Sequence, residues 1–336
     1  MKTKLKRSLK ILAVSALTAF VVLNIIAYRQ AWVMSHYSKG DARTEKPEKL
    51  SFGEKVKVLI CGIDLPRPHS TMLPTGLAPA CRAKTIPETN GIKLGAWYCP
   101  APVTDNNPRQ VSSAPLVILF HGYGGDKTGM VPEARVFLQM GYSVFLVDFR
   151  GSGDSSESYT TVGYREADDV AAAVKYADSE LPHSRLILYG SSMGAAAILR
   201  AVAACSVRPD AIIAEGVFDN MLNTVKHRFQ AMGVPSFPSA QILLFWGSVQ
   251  GGFNAFHNNP VEYAASVRCP ILFLHGAGDP RTHLEDARRV FEAVSTPKQF
   301  REFPGLGHEA SIIRFPAEWT EAVGQFLTPS SRSAPH

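Results

Sequence analysis

The sequence predicts an α/β chain in which one open, mostly parallel sheet carries helices on both faces. Short apolar runs recur without alternation, as strands buried on both faces do. Between these runs lie stretches with helical spacing, and strand–helix alternation over such a length gives a parallel sheet. One of these junctions, Leu186–Ala195, passes from strand to Ala-rich helix through a glycine-flanked serine.

Taken in chain order, the elements begin with a basic cluster, Lys2, Lys4, Lys6, Arg7 and Lys10. The uncharged stretch Ile11–Tyr28 follows, with Ser15, Thr18 and Asn24 as its clearly polar breaks. As a helix it spans roughly 27 Å, close to a bilayer's hydrocarbon thickness. The best small-x-small cleavage site is Ile25-x-Ala27, a weak one, so an uncleaved anchor is favoured over a signal peptide. Residues 29–56 are polar and charge-mixed and predict a juxtamembrane linker. Residues 57–80, with Pro66, Pro68, Pro74 and Pro79, predict an irregular approach, so that 29–80 precede the folded domain.

That domain is expected over 81–328. Residues 81–88 and 92–99 flank Thr89-Asn90-Gly91, a hairpin turn signal that would set Cys81 opposite Cys99. A disulfide there would persist outside the cytoplasm; five thiols packed as small hydrophobes is the other reading. The strands expected next are Leu116–Phe120, Ser143–Val147, Leu186–Tyr189, Ala211–Ala214, Ile271–Leu274 and one around Gln299–Phe303. The helices expected among them are Pro132–Met140, Tyr164–Leu181, Ala195–Cys205, His283–Val294 and Ala317–Phe326. Residues 217–268 are too long for one crossover helix and rich in Phe, Leu and Trp. They predict an apolar lid over a pocket at the carboxyl ends of the strands. A tail, 329–336, closes the chain.

Of 336 residues, 46% are hydrophobic, as in a folded globular protein. The formal charge of +6 does not indicate nucleic acid, because the first ten residues carry five of those six charges. A nucleic-acid reader spreads its cations over a folded face. With the cluster held on the cytoplasmic side, the rest of the chain is expected outside.

The chemistry centres on Gly190-Ser191-Ser192-Met193-Gly194. A sharp strand-to-helix turn needs small residues two before and two after its apex. Centring on Ser192 meets this, whereas centring on Ser191 puts Tyr189 and Met193 at the flanks. A serine hydroxyl needs a base and an orienting acid. Asp279 follows the strand at 271–274, and His308 lies in a Gly-rich loop after the last strand, giving the chain order Ser, Asp, His. Met193 N–H, at a helix start, is one donor for an oxyanion. Tyr123 N–H, in His121-Gly122-Tyr123-Gly124-Gly125, is the expected second. Asp219, after the preceding strand, is the next candidate for the acid, while Glu285 and Asp286 are expected to face solvent or the core edge. No Cys or His spacing suggests a metal site, and the chemistry calls for no cofactor.

Together the His121–Gly125 loop, Asp148–Ser155, Gly190–Gly194, His275–Asp279 and Gly307-His308 resemble the α/β-hydrolase superfamily. Within it they are similar to bacterial serine aminopeptidase-like and membrane-anchored acylglycerol hydrolases, over about residues 81–328. The resemblance implies an eight-stranded sheet, the triad Ser192–His308–Asp279, an oxyanion hole of Tyr123 and Met193, and a site-shaping role for Asp148–Ser155.

The function expected is hydrolysis of a carboxylic ester, a lipid or acyl ester, through an acyl-enzyme, with the membrane met through residues 11–28. Amide hydrolysis by the same triad is one alternative. A non-catalytic binding protein on this fold is another, and an intact triad argues against it. Location is checkable in intact cells. An extracytoplasmic protease should reach the domain, and the protein should stay with membranes through a high-pH wash; a soluble extracytoplasmic product would indicate cleavage instead.

Overall fold

Every residue of Leu116–Phe120 (β3), Ser143–Val147 (β4), Ala211–Glu215 (β6) and Ile271–Gly276 (β7) is buried. The unalternating apolar runs therefore face two cores, one on each side of the sheet. In β3, Leu116, Ile118 and Phe120 enter one core, and Val117 and Leu119 the other. The edges differ. Lys298–Phe303 (β8) alternates burial and exposure, and Arg82–Pro87 (β1) is mostly exposed, as blunted sheet edges are.

These features come from a computed structural model that describes residues 2–45, 49–69, 77, 80–88, 91–102 and 114–328. Thr89 and Asn90 of the expected turn, parts of the 57–80 approach and the tail from Ser330 lie outside the described residues.

With Lys93–Cys99 (β2) and Leu186–Ser191 (β5), the sheet has eight strands in the order β1-β2-β4-β3-β5-β6-β7-β8. The β1/β2 and β2/β4 pairs are antiparallel and the others parallel. The β1/β2 register runs from Arg82 on Tyr98 to Pro87 on Lys93, and Cys81 is disulfide-bonded to Cys99. Of the other cysteines, Cys61 is exposed, Cys205 half-buried and Cys269 buried.

Lys2–Ser35 (α1) and Phe52–Cys61 (α2) precede the sheet. Val131–Gln139 (α3), Glu166–Glu180 (α4) and Met193–Ala204 (α5) alternate with the strands. Met221–Met232 (α6), Ser239–Gly251 (α7) and Pro260–Ala264 (α8) fill the crossover between β6 and β7. Leu284–Ala293 (α9), Ser311–Arg314 (α10) and Pro316–Leu327 (α11) complete the order. One core lies under α4, α5, α8 and α9, and the other under α3 and α11.

The linker expected from residue 29 is replaced by helix at both ends. α1 continues to Ser35 because Ala27 and Ala31 are buried, and Ala31 packs with Leu243 and Leu244 of α7. α2 begins at a capping box in which Ser51 accepts from the Glu54 N–H and Glu54 accepts from the Ser51 N–H. Polar composition concealed both. α1 is long and apolar enough to cross a membrane, with a mean hydropathy of 2.3 over its most apolar window.

The second core turns on Trp319, which is fully buried with its ring 5.6 Å from Phe137 and 6.1 Å from Tyr189. Trp319→Ala should remove about 3–5 kcal/mol of stability through lost burial and the cavity left behind. Urea unfolding is the measurement, with an unchanged midpoint as the contrary result.

Candidate active site

The site begins with a backbone conformation. Ser192 sits between β5 and α5 with φ +51° and ψ −106°, a positive-φ geometry that L-residues avoid. Its neighbours two residues away must be glycine. A Cβ on Gly190 would lie 2.5 Å from Ala195 N, and one on Gly194 would lie 2.4 Å from Phe120 O at the end of β3. The Ser192 N–H donates to Glu215 O at 2.7 Å, tying the turn to the end of β6.

Loops after the strands bring the other groups to this apex. His308 Nε2 lies 3.1 Å from Ser192 Oγ, and His308 Nδ1 lies 2.6 Å from Asp279 Oδ2. Asp279 also accepts from Thr282 Oγ1 at 2.6 Å, from Arg281 N–H at 2.8 Å and from Thr282 N–H at 3.1 Å. Burial pushes the Asp279 carboxyl up, but the hydrogen bond and charge of His308, with Thr282 and the Arg281 N–H, outweigh burial and hold it at about 2. The stabilisation from this depressed carboxyl is complete above the ordinary carboxylate range and is lost as pH falls through about 2. The carboxylate is therefore ionised at neutral pH and can hold the ring with Nε2 turned to Ser192. Such an array can take a proton from a serine hydroxyl and return it to a leaving group.

The two residues expected to supply backbone donors border the same space. Met193 is the first residue of α5, so its N–H has no intrahelical carbonyl to meet. Tyr123 lies in the turn after β3, and both residues line the pocket of about 240 Å³ that contains Ser192 and His308. The structure thus brings together all five residues singled out in the sequence: Ser192, His308, Asp279, Tyr123 and Met193. Ser191 also borders the pocket, but as the last residue of β5.

The rival acids lie elsewhere. Asp219 accepts from Asn220, Asn223 and Arg289, not from His308. Glu285 is exposed. Asp286, expected at the solvent or core edge, is buried, because as the third residue of α9 it closes a cap with His283 and pairs with Arg289.

Several further residues position the site, and the sequence assigns them no individual role. His121 is buried, and its Nε2 accepts from Phe149 N–H at 3.1 Å, which assigns the proton to Nδ1, 2.8 Å from Gly122 O. Burial lowers its pKa and favours this neutral form, which shapes the Tyr123 turn. His275 Nε2 donates to Thr282 O at 2.9 Å and so braces the Asp279 loop. Glu215 accepts from Ser311 N–H at 2.6 Å and from the Tyr189 hydroxyl, fixing the chain just after His308. Each is a polar residue at or just beyond a strand's carboxyl end, and that position was the available signal. Asp148–Ser155 is held by the buried Lys127–Asp148 pair, with Asp148 Oδ1 accepting from Lys127 N–H at 2.8 Å.

Comparison with known proteins bears on the family and the fold. The family model described as the prolyl oligopeptidase family matches residues 130–332. A lysophosphatidylserine lipase of Bos taurus is 24% identical over 298 residues, covering 82% of this chain and 72% of the relative. The Bacillus subtilis protein YqkD is 28% identical over 248 residues, 73% of this chain and 78% of its own length. Among solved structures, a Pyrococcus furiosus esterase superposes with TM-score 0.62 at 25% identity, covering 79% of this chain and 98% of the esterase. A Xanthomonas campestris serine hydrolase without a lid matches in fold with TM-score 0.52 at 18% identity, over 79% of this chain and 100% of its own. With more than half its length matched and with the eight-stranded sheet described above, this chain belongs to the prolyl oligopeptidase family of the α/β-hydrolase superfamily.

Proposed function

We propose that the chain is a membrane-anchored serine hydrolase that cleaves a carboxylic ester of a lipid or acyl ester through an acyl-enzyme on Ser192. The observation that carries this reading is the position of His308, hydrogen-bonded at once to Ser192 Oγ and to Asp279. His308 takes the Ser192 proton as Oγ attacks the carbonyl, and the N–H groups of Tyr123 and Met193 receive the oxyanion. His308 gives the proton to the leaving alcohol, then takes one from water for deacylation, while Asp279 holds the imidazolium. No step needs a metal or an organic cofactor.

Arg228 and Arg281 line the same pocket together with Glu215, Asp279 and Glu309. Similarity to a lysophosphatidylserine lipase supports the ester reading. Peptide hydrolysis is the second reading, favoured by the name of the matching family. Residues 217–268 act as the lid in this reading, and 81–328 as the catalytic domain. Retention of α1 is supported by the burial of Ala27 and Ala31 and by the Tyr123 hydroxyl, which donates to Met34 O at 2.6 Å. The catalytic domain then lies outside the cytoplasm, with secretion after cleavage as the alternative.

Two measurements bear on the chemistry. A fluorophosphonate probe should label the wild-type chain and Ser191→Ala but not Ser192→Ala; labelling that survives in Ser192→Ala removes the nucleophile assignment. Asp279→Asn should melt as a folded protein yet lose about 10⁴-fold in turnover, the cost of a wrongly held imidazole. Glu285→Gln, with no bond to His308, should lose much less. Near-normal turnover in Asp279→Asn would place the acid elsewhere.

A further inference from the structure

α1 does more than pass beside the domain. At about 1.5 Å per residue its 34 residues extend some 50 Å, well beyond a hydrocarbon core of about 30 Å. The first part, through Val22, is exposed along its length, whereas the part from Leu23 onward packs on the domain. Trp246 of α7 donates to Asn24 Oδ1 at 3.1 Å and meets the Tyr28 ring edge-on at 5.2 Å. Tyr28 and Trp246 therefore sit at one level, a bilayer's apolar thickness along α1 from Lys10, where an aromatic belt marks the outer interface. At this level α7 exposes Phe245 and Val249, one helical turn apart, and Phe237 stands exposed just before it. α2 exposes Phe52, Val56 and Ile60, also one turn apart, and buries none of its residues. Both helices pack on α1, α2 where Gln30 donates to Val58 O and Leu59 O and α7 where Trp246 donates to Asn24.

Two largely apolar cavities border α1. One, of about 400 Å³, is bounded by Ala31 of α1, Met221 of α6 and Gly247 of α7, and it shares Val162 with the catalytic pocket. The other, of about 260 Å³, is bounded by Leu23 and Ile26 of α1 and by Phe229 of α6, and it shares Arg228 with the catalytic pocket. Met34, Val225 and Leu243 border both.

We propose that residues 23–34 of α1, with α6 and α7, form the binding site for the acyl chain of a membrane lipid ester, which enters sideways from the outer leaflet along α1. The membrane anchor is then a wall of the substrate site. The inference rests on the serine-hydrolase reading above, and it names the acyl chain as what that site holds. Val162 borders both the larger cavity and the catalytic pocket, and Arg228 both the smaller cavity and the catalytic pocket, so the proposed acyl chain lies beside the pocket with its ester carbonyl directed toward Ser192. The alcohol part remains on the side of Arg281 and Thr224.

Gly247 provides a test that does not disturb packing. A Cβ built there meets no heavy atom within 4 Å, so larger side chains at this helical position grow into the cavity. In full-length protein in phosphatidylcholine vesicles, the series Gly247→Ala, Gly247→Leu and Gly247→Phe should move the preferred ester to progressively shorter chains. Gly247→Phe should lower kcat/KM for a dodecanoyl ester by about tenfold or more relative to an acetyl ester. Loss of both esters alike, or of neither, in variants that melt normally would overturn the proposal. A binding arm needs no turnover. In Ser192→Ala, palmitate carrying a terminal diazirine should crosslink to α6 at Met221 or Val225, which line the cavity with Gly247, and Gly247→Phe should suppress that crosslink. Crosslinks confined to residues 3–22 would show bilayer contact alone and overturn the site. Crosslinks on α6 in a protein whose wild-type form hydrolyses no acyl ester would leave the site standing and remove the ester-hydrolase reading instead.

Discussion

Ser192 holds a backbone conformation that costs about 1–3 kcal/mol, and it persists because the surrounding structure permits no other. α5 packs its N-terminus so closely on the end of β3 that a side chain at position 194 would strike the Phe120 carbonyl. β5 turns so sharply that one at 190 would strike α5 itself. The same closeness aims the first N–H of α5 at the space above the sheet and lifts Oγ clear of it. Strand β5 lies next to the middle of the sheet, flanked by β3 and β6, so the loops after β3, β7 and β8 can reach the apex from both sides. The site is an outcome of parallel-sheet geometry: strands that all end at one edge deliver their loops to one place.

Those loops are held by buried polar contacts, each with a defined partner. His121, His275 and Glu215 lie beneath the pocket and bond to main-chain groups of the Tyr123 turn, the Asp279 loop and the segment after His308. Buried histidines invite a catalytic or metal-binding interpretation. Here the hydrogen bonds define what they do: the His121 ring both donates and accepts, His275 donates through Nε2, and each sets the course of a loop.

The fold was legible because the strands that build it are buried on both faces, and such strands read as unbroken apolar runs. β3 and β4 match the expected bounds, while β5 and β7 extend into the Gly-Ser and His-Gly residues that begin the functional loops. There the chain trades apolar residues for chemistry while keeping strand geometry, and hydrophobic pattern alone misses the continuation. Ser192, Asp279 and His308 were legible for a related reason, since each lies at a turn whose small residues mark close backbone approach. The run from 29 to 61 was not legible. Its helices bury few residues, and those they do bury depend on α7, more than two hundred residues later in the chain. Asp286 escapes sequence reasoning because a carboxylate in a helix's first turn is ordinarily a solvated one. Of its partners, Arg289 lies one turn along the same helix, whereas His227 reaches it only once α6 packs on α9.

The packing of α1 joins these observations. A helix that served only as a tether would need no contact with the catalytic machinery. Here the Tyr123 hydroxyl, on a turn that lines the pocket, donates to Met34 O, and His36 and Tyr37 continue onto the loop at 158–159. Removing α1 would withdraw a hydrogen-bond acceptor from that turn and expose the apolar flank of α7. α1 and the turn that carries Tyr123 therefore share one structural unit, because contacts of α1 with the domain also hold that turn.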